Sequence, residues 1–236
     1  MVEIGKINKL RIKRNLENGV HLDGGEAGDV FLPQKYLGKN YLLGDEVEVF
    51  VFADKEGHLR ATTQRPKAIV GQFAKLRVVA VSSAGAYLDW GLQKDLLAPK
   101  SEQFSKMVEG KSYVVYVFLD EKSKRITASS KLNNFLSILP PAYGEGEEVD
   151  LLICDKTELG YKAIVNNSHW GIIYDNEVFQ KVHIGQQLKG YIKKIREDHK
   201  IDLSLQKAGY QRVDDASQDV FDKIKSLGGR ITLTDK

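Results

Sequence analysis

Three glycines recur at fixed offsets in three successive stretches of the chain. Gly5, Gly71 and Gly146 open the stretches. Gly19, Gly85 and Gly160 follow at one shared offset, and Gly44, Gly110 and Gly185 at a second. One matched pair of glycines would mean little. Three glycines at the same offsets in three copies define a repeated structural unit, and a repeat narrows the fold more than composition does.

The side chains between the glycines agree. After the third glycine come Val47-Glu48-Val49-Phe50-Val51-Phe52, Tyr113-Val114-Val115-Tyr116-Val117-Phe118 and Leu188-Lys189-Gly190-Tyr191-Ile192. These β-branched and aromatic runs have the character of strands. Each meets a charged tip, Asp54-Lys55-Glu56-Gly57, Asp120-Glu121-Lys122-Ser123 or Arg196-Glu197-Asp198-His199. A returning strand follows each tip: Leu59–Thr62, Ile126–Ser129 and Ile201–Ser204. Mid-unit runs Val30–Pro33, Leu96–Pro99 and Gly171–Tyr174 also share one offset. Each unit thus reads as about five short strands, which close most economically into a Greek-key barrel of the OB type. A short helix is expected over Ser101–Val108. The predicted class is mainly β: OB barrels over 1–66, 67–142 and 143–212, then a partial winged-helix start over 213–236.

Composition excludes several classes. The 236 residues hold 42% hydrophobic and 28% charged residues, as a globular chain does. No apolar run approaches the length of a spanning helix, which needs about 20 residues. The N-terminus lacks the apolar core of a signal peptide. The single cysteine, Cys154, excludes an internal disulfide and a multi-cysteine metal site, and reads as a buried small hydrophobe. A reducing, cytoplasmic setting is the default expectation. His21, His58, His169, His183 and His199 show no ligand spacing with each other or with Cys154, so no metal is expected. Neither a catalytic constellation nor a phosphate-cradling loop is present, so no cofactor and no enzymatic activity are expected.

Unit two carries the clearest family signal. It reads Gly71-Gln72-Phe73, Leu76–Val81, Gly85-Ala86-Tyr87-Leu88-Asp89-Trp90-Gly91-Leu92 and Asp95-Leu96-Leu97-Ala98-Pro99, closing with Asp120, Arg125 and Ile126–Ser129. This resembles the S1 RNA-binding domain. Unit three is similar to a degenerate S1 domain, with Asp198 and Lys200 near the hairpin positions, and unit one is fainter. The strings Leu88–Leu97 and Tyr191–Asp198 resemble the bacterial conserved virulence factor B family. That resemblance implies three tandem S1-like domains followed by a winged helix, with RNA binding and regulation of gene expression. It covers residues 1 to about 212. Ala216–Leu227 reads as the first winged-helix helix, with the recognition helix and wing lacking.

OB barrels bind single strands by stacking bases on rings and holding phosphates with Lys and Arg. Alternation puts Tyr87 and Asp89 on one face of their strand and Leu88 and Trp90 on the other. With Leu88 in the core, Tyr87 points outward, where the S1 resemblance implies a stacking ring. His21 and Lys162 are its counterparts in units one and three. Two S1 features are missing from unit two: Ala84 stands where an aromatic precedes the glycine, and Leu97-Ala98-Pro99 lacks a histidine. Asp120, Lys122, Lys124 and Arg125 offer backbone contacts, Asp120 with Arg125 reading equally as a hairpin ion pair. Lys9, Arg11 and Lys13 share one strand face that tracks phosphates or is simply solvated. Lys193 and Lys194 belong to a basic run beside Lys189 and Arg196, weakened by Glu197 and Asp198. Trp90 and Trp170 read as packing residues.

The net charge of +3 is an average. Residues 68–143 hold ten Lys+Arg against six Asp+Glu, or +4, while residues 1–67 carry +1 and 144–212 carry −1. The leading expectation is a non-enzymatic regulator that binds single-stranded RNA, mainly through unit two. The alternatives are a DNA-binding transcriptional regulator acting through the winged helix and a protein-interaction scaffold. No membrane partner is expected, and the oligomeric state is open.

Overall fold

The computed structural model describes residues 1–38 and 41–207, and it is all β apart from single 3-10 turns. The expected winged-helix start lies outside the described residues. Unit one contains β1 (Ile7–Leu16), β2 (Gly19–Asp23), β3 (Asp29–Pro33), β4 (Glu46–Ala53) and β5 (Leu59–Thr62). Unit two contains β6 (Phe73–Val81), β7 (Gly85–Asp89), β8 (Leu96–Pro99), β9 (Ser112–Leu119) and β10 (Ile126–Ser129). Unit three contains β11 (Glu148–Thr157), β12 (Gly160–Val165), β13 (His169–Tyr174), β14 (Gln187–Ile195) and β15 (Ile201–Ser204). The first and third sheets close as β1-β2-β3-β5-β4 and β11-β12-β13-β15-β14. The middle sheet has the same order. Its β8–β10 seam is held by flanking chain, with Ser130 N donating to Glu102 O at 2.9 Å and Phe104 N to Ser130 Oγ at 2.8 Å. Among the described residues, no helix is long and apolar enough to cross a membrane.

The repeated glycines have backbone causes. At the second position the strand crosses the next strand so closely that a Cβ has no place. On Gly85 it would overlap the Ala98 carbonyl oxygen and lie 2.8 Å from Pro99 Cα, and on Gly160 it would overlap the Ile173 carbonyl and lie 2.8 Å from Tyr174 Cα. Gly19 meets Leu32 and Pro33 in the same way. At the third position the glycine N–H ties back to the first strand, as Gly110 N does to Val78 O at 2.9 Å. There φ is +81° and the space around a Cβ is open.

Alternation fills each interior. Ile12, Val20, Leu22, Leu32, Val49 and Val51 form one core, and Leu76, Val78, Leu88, Leu96, Val115 and Val117 form the next. Leu151, Ile153, Ile173, Ile192 and Leu203 form the third. Residues Met1–Leu136 make one compact unit and a second begins at Ser137. Within the first, Phe50 points out of its own barrel and joins the apolar cluster of unit two, edge-on to the Trp90 ring at 5.5 Å. The helix expected over Ser101–Val108 is instead a single turn at Lys100–Glu102. Gln103 fixes this non-helical path: its Nε2 donates to Ala98 O of β8 at 2.9 Å, and its Oε1 accepts from Met107 N, a donor that a helix would have paired with backbone, at 3.0 Å. Met107 is buried as a result of this path.

The three closing hairpins differ in charge at matched positions. In unit one Arg60 Nε donates to Asp54 at 2.9 Å, and the pair draws the Asp54 carboxyl down to about 2. In unit three the signs are reversed, with Arg196 Nε donating to Asp202 at 3.0 Å. In unit two the strand position matching Arg60 is Thr127, which lies opposite Phe118 as Arg60 lies opposite Phe52, so no such pair forms. Asp120 instead accepts from the Ser123 hydroxyl at 2.6 Å and the Ser123 N–H at 3.0 Å, which hold its carboxyl below the usual range.

Two outcomes follow. Gly85→Ala should cost about 3 kcal/mol or more, against about 1 kcal/mol for Gly110→Ala, which meets only left-handed backbone strain. Urea midpoints compare them. Because folding lowers the Asp54 pKa from 3.8 to about 2, its contribution is complete above pH 3.8 and is lost as the pH falls toward 2. The stability difference between the wild type and Asp54→Asn should therefore be flat above that window and shrink within it, as acid titration of unfolding will read.

Candidate nucleic-acid interface

Tyr87 sits at the centre of the outer face of β7, in register with Leu97 of β8. It is half-buried, whereas Ala86 and Leu88 on either side are fully buried, as strand alternation requires. Among the described residues no ring, cation or hydrogen-bond partner covers it. The β9–β10 hairpin ends one strand further along, because β10 runs beside β8. Its tip is fixed by Asp120 N donating to Arg125 O at 2.9 Å and Lys124 N to Asp120 O at 2.8 Å, with Lys124 at φ +55°. Lys122, Lys124 and Arg125 are exposed and make no ion pair among the described residues. The Asp120–Arg125 ion pair considered from sequence does not form: the two residues meet only through backbone, and the carboxylate is satisfied by Ser123.

The counterpart positions are occupied from within. In unit one the His21 ring meets Phe31 edge-on at 5.9 Å, and its Nδ1 lies 3.1 Å from Asp29 and 2.9 Å from Arg14. Arg60 covers Phe31 at 5.1 Å. In unit three Lys162 Nζ lies 3.9 Å from the Trp170 ring centre. Arg196 likewise covers Tyr174 at 5.7 Å and Lys156 covers Tyr161 at 4.3 Å. A base stacking on any of these rings would have to displace its cation.

The remaining sequence candidates are mostly paired. Lys9 and Arg11 meet Glu46 at 2.6 and 3.7 Å, because strand pairing places Arg11 opposite Glu46. Lys13 meets Asp29 at 2.9 Å, and that bond holds the carboxyl low and the ammonium high. The row faces solvent as expected, with its charge neutralised. Lys193 pairs with the buried Glu177, and Lys194 stays exposed without an ion pair among the described residues. Trp90 packs in the core, its Nε1 donating to Lys94 O at 2.6 Å. Trp170 lies on the outer face under Lys162. Cys154 is half-buried, and burial pushes its thiol up to about 12. Ligand atoms of Asp54, Glu56 and His58 lie within 4.8 Å of one another, but the Asp54 carboxylate is already bonded to Arg60.

Sequence reasoning passed over Phe104. Its ring is 82% exposed on the loop after β8, between Lys100 and Lys106, and neither lysine makes an ion pair among the described residues. A phenylalanine flanked by lysines in a stretch read as helix was the available signal, and the helix reading hid it. Isolated exposed apolar residues are ordinary, but one beside unpaired cations belongs with the candidate interface.

Comparisons with known proteins agree with this architecture. The S1 domain model matches residues 4–64 and again 70–130, just over half of the chain. The chain is 21% identical to conserved virulence factor B of Staphylococcus epidermidis (strain ATCC 12228 / FDA PCI 1200), over 99% of this chain and 81% of the relative. It is 24% identical to the uncharacterized protein YitL of Bacillus subtilis (strain 168), over 96% and 78%. Among solved structures it is similar to a multidomain protein with nucleic acid binding domains from Streptococcus pneumoniae TIGR4, with a TM-score of 0.47, 20% identity, and 98% and 84% of the two chains covered. With S1 matches over just over half of the chain, the chain belongs to the S1 domain family, and over nearly its whole length it is similar to conserved virulence factor B.

Proposed function

We propose that the protein binds single-stranded RNA through the outer face of unit two and acts in the regulation of gene expression without chemistry of its own, in the cytoplasm. One observation carries the reading. Unit two presents an uncovered Tyr87 and a hairpin tip whose Lys122, Lys124 and Arg125 have no ion pairs among the described residues, while in units one and three the hairpin arginines Arg60 and Arg196 are paired with Asp54 and Asp202 and lie over Phe31 and Tyr174. A free phosphate-binding cation adds affinity by releasing counterions from the strand, whereas a paired one must first give up its acid. Phe104, Lys100 and Lys106 extend the same set.

Barrel three, and barrel one within the first compact unit, contribute through tethering, which raises local concentration even where each contact is weak. The neutralised faces of units one and three favour a second reading, a protein-interaction scaffold. Salt separates the two: RNA binding weakens steeply with added salt, and an apolar protein contact does not. The DNA-binding reading rests on the winged-helix residues, which lie outside the described part.

Fluorescence anisotropy with a labelled oligo-U tests the site. Stacking on one ring is worth about 1–3 kcal/mol, so Tyr87→Ala should weaken binding by roughly 5- to 150-fold. His21→Ala should leave it nearly unchanged. Arg125→Gln should reduce the slope of log K against log salt by about 0.7, the loss of one phosphate contact on a single strand. No binding at low salt, or equal losses from Tyr87→Ala and His21→Ala, would remove this assignment.

A further inference from the structure

One surface loop repeats side chains that barrel packing does not require. Before the fourth strand the chain reads Glu102-Gln103-Phe104-Ser105-Lys106 in unit two and Glu177-Val178-Phe179-Gln180-Lys181 in unit three. Counted back from Gly110 and Gly185, the two Glu-x-Phe-x-Lys runs fall on the same positions. Packing explains the residues around them. Met107 and Val182, each three residues after the phenylalanine, are buried in their cores. Packing does not explain the rings, for Phe104 is 82% exposed and Phe179 61%. Lys106 and Lys181 are exposed as well and make no ion pair among the described residues.

Both rings are held out by a pinned backbone. Gln103 ties the chain just before Phe104 to Ala98, and Phe104 N donates to Ser130 Oγ at 2.8 Å. Val178 packs on the third core just before Phe179, and its N–H donates to Asp175 O at 3.2 Å. A ring fixed in this way loses little freedom when a flat partner stacks on it. The charge around it suits a polyanion. The acids beside Phe179 are spent, Asp175 on Lys156 and Glu177 on Lys193, so Lys181 is the uncompensated charge there. A single exposed phenylalanine is ordinary. Two at one repeat position, each two residues before an unpaired lysine, form the ring-and-cation set that takes up single strands. Other outward positions have drifted apart, with Tyr87 against Lys162 and Lys100 against Asp175. In unit one the matching position is Gly38, so that barrel lacks the ring.

We propose that Phe179 with Lys181 is a binding site for single-stranded RNA on barrel three, built like Phe104 with Lys106 on barrel two. Barrel three then takes up RNA through this loop, while the Lys162–Trp170 pair keeps its strand face closed. The inference rests on the reading that the chain binds single-stranded RNA. The test is anisotropy of the full chain with a labelled oligo-U of about 20 nucleotides, longer than one barrel covers. Phe104→Ala and Phe179→Ala should each weaken binding by roughly 5- to 150-fold, the worth of stacking one base. Phe179→Trp should restore it, and Phe179→Leu should not. Lys181→Gln should reduce the slope of log K against log salt by about 0.7. Unchanged binding by Phe179→Ala, in a chain that Tyr87→Ala weakens, would overturn this site and leave the unit-two reading standing. Full binding by Phe179→Leu would also overturn it, since an apolar contact of the kind a protein partner makes needs no ring. No oligo-U binding by the wild type would remove both readings. Both phenylalanines lie outside the cores, so urea midpoints of the variants should match the wild type.

Discussion

Every barrel in this chain depends on one backbone crossing. The second strand begins so close to the end of the third that the third strand's carbonyl occupies the place of a Cβ, at Gly19, Gly85 and Gly160 alike. That approach sets the register of the β2–β3, β7–β8 and β12–β13 pairs, beginning with Gly85 opposite Pro99 and Gly160 opposite Tyr174. The register in turn decides which side chain of each second strand faces outward. Tyr87 is presented to solvent, and Leu88 to the core, because Gly85 starts the count.

The outer faces then serve different ends from one template. The fourth-strand ring joins a barrel to the chain that follows it, as Phe50 does with the Trp90 cluster and Tyr116 does with Phe135. The second- and third-strand faces diverge in charge. A hairpin ion pair of either polarity, Asp54 with Arg60 or Arg196 with Asp202, holds an arginine over a neighbouring ring. Where Thr127 takes the place of one member, Asp120 turns to Ser123, and Arg125 and Tyr87 are left open. A single uncharged residue at that register position thus separates a self-satisfied face from one with unspent charge.

Much of this was legible in the sequence because it rests on local periodicity. Alternation placed Tyr87 outside and Leu88 inside, and the glycine offsets delimited the strands because each glycine has a backbone reason to recur. What stayed hidden depends on residues far apart in the chain. Lys9, Arg11 and Lys13 look like a phosphate track until strand pairing brings Glu46 and Asp29 against them. Asp120 and Arg125 look like a pair because they flank one short hairpin turn. The second hairpin is longer by one residue, so Arg125 stays in the turn, Thr127 takes the strand position, and the carboxylate points to Ser123. The Ser101–Val108 stretch has helical character, and Gln103 overrides it by bonding Ala98 and Met107.

The uneven charge of +4 on residues 68–143 therefore means more than its size suggests, since among the described residues Arg125 lacks the acidic partner that Arg60 and Arg196 have in the other two hairpins. The most direct measurement of that claim is ultraviolet cross-linking of the full chain to oligo-U, with the linked peptides located by mass spectrometry. Cross-links concentrated on the β7 strand around Tyr87 and on the β9–β10 hairpin are predicted. Cross-links falling mainly on the paired faces around His21 or Lys162 would contradict the account.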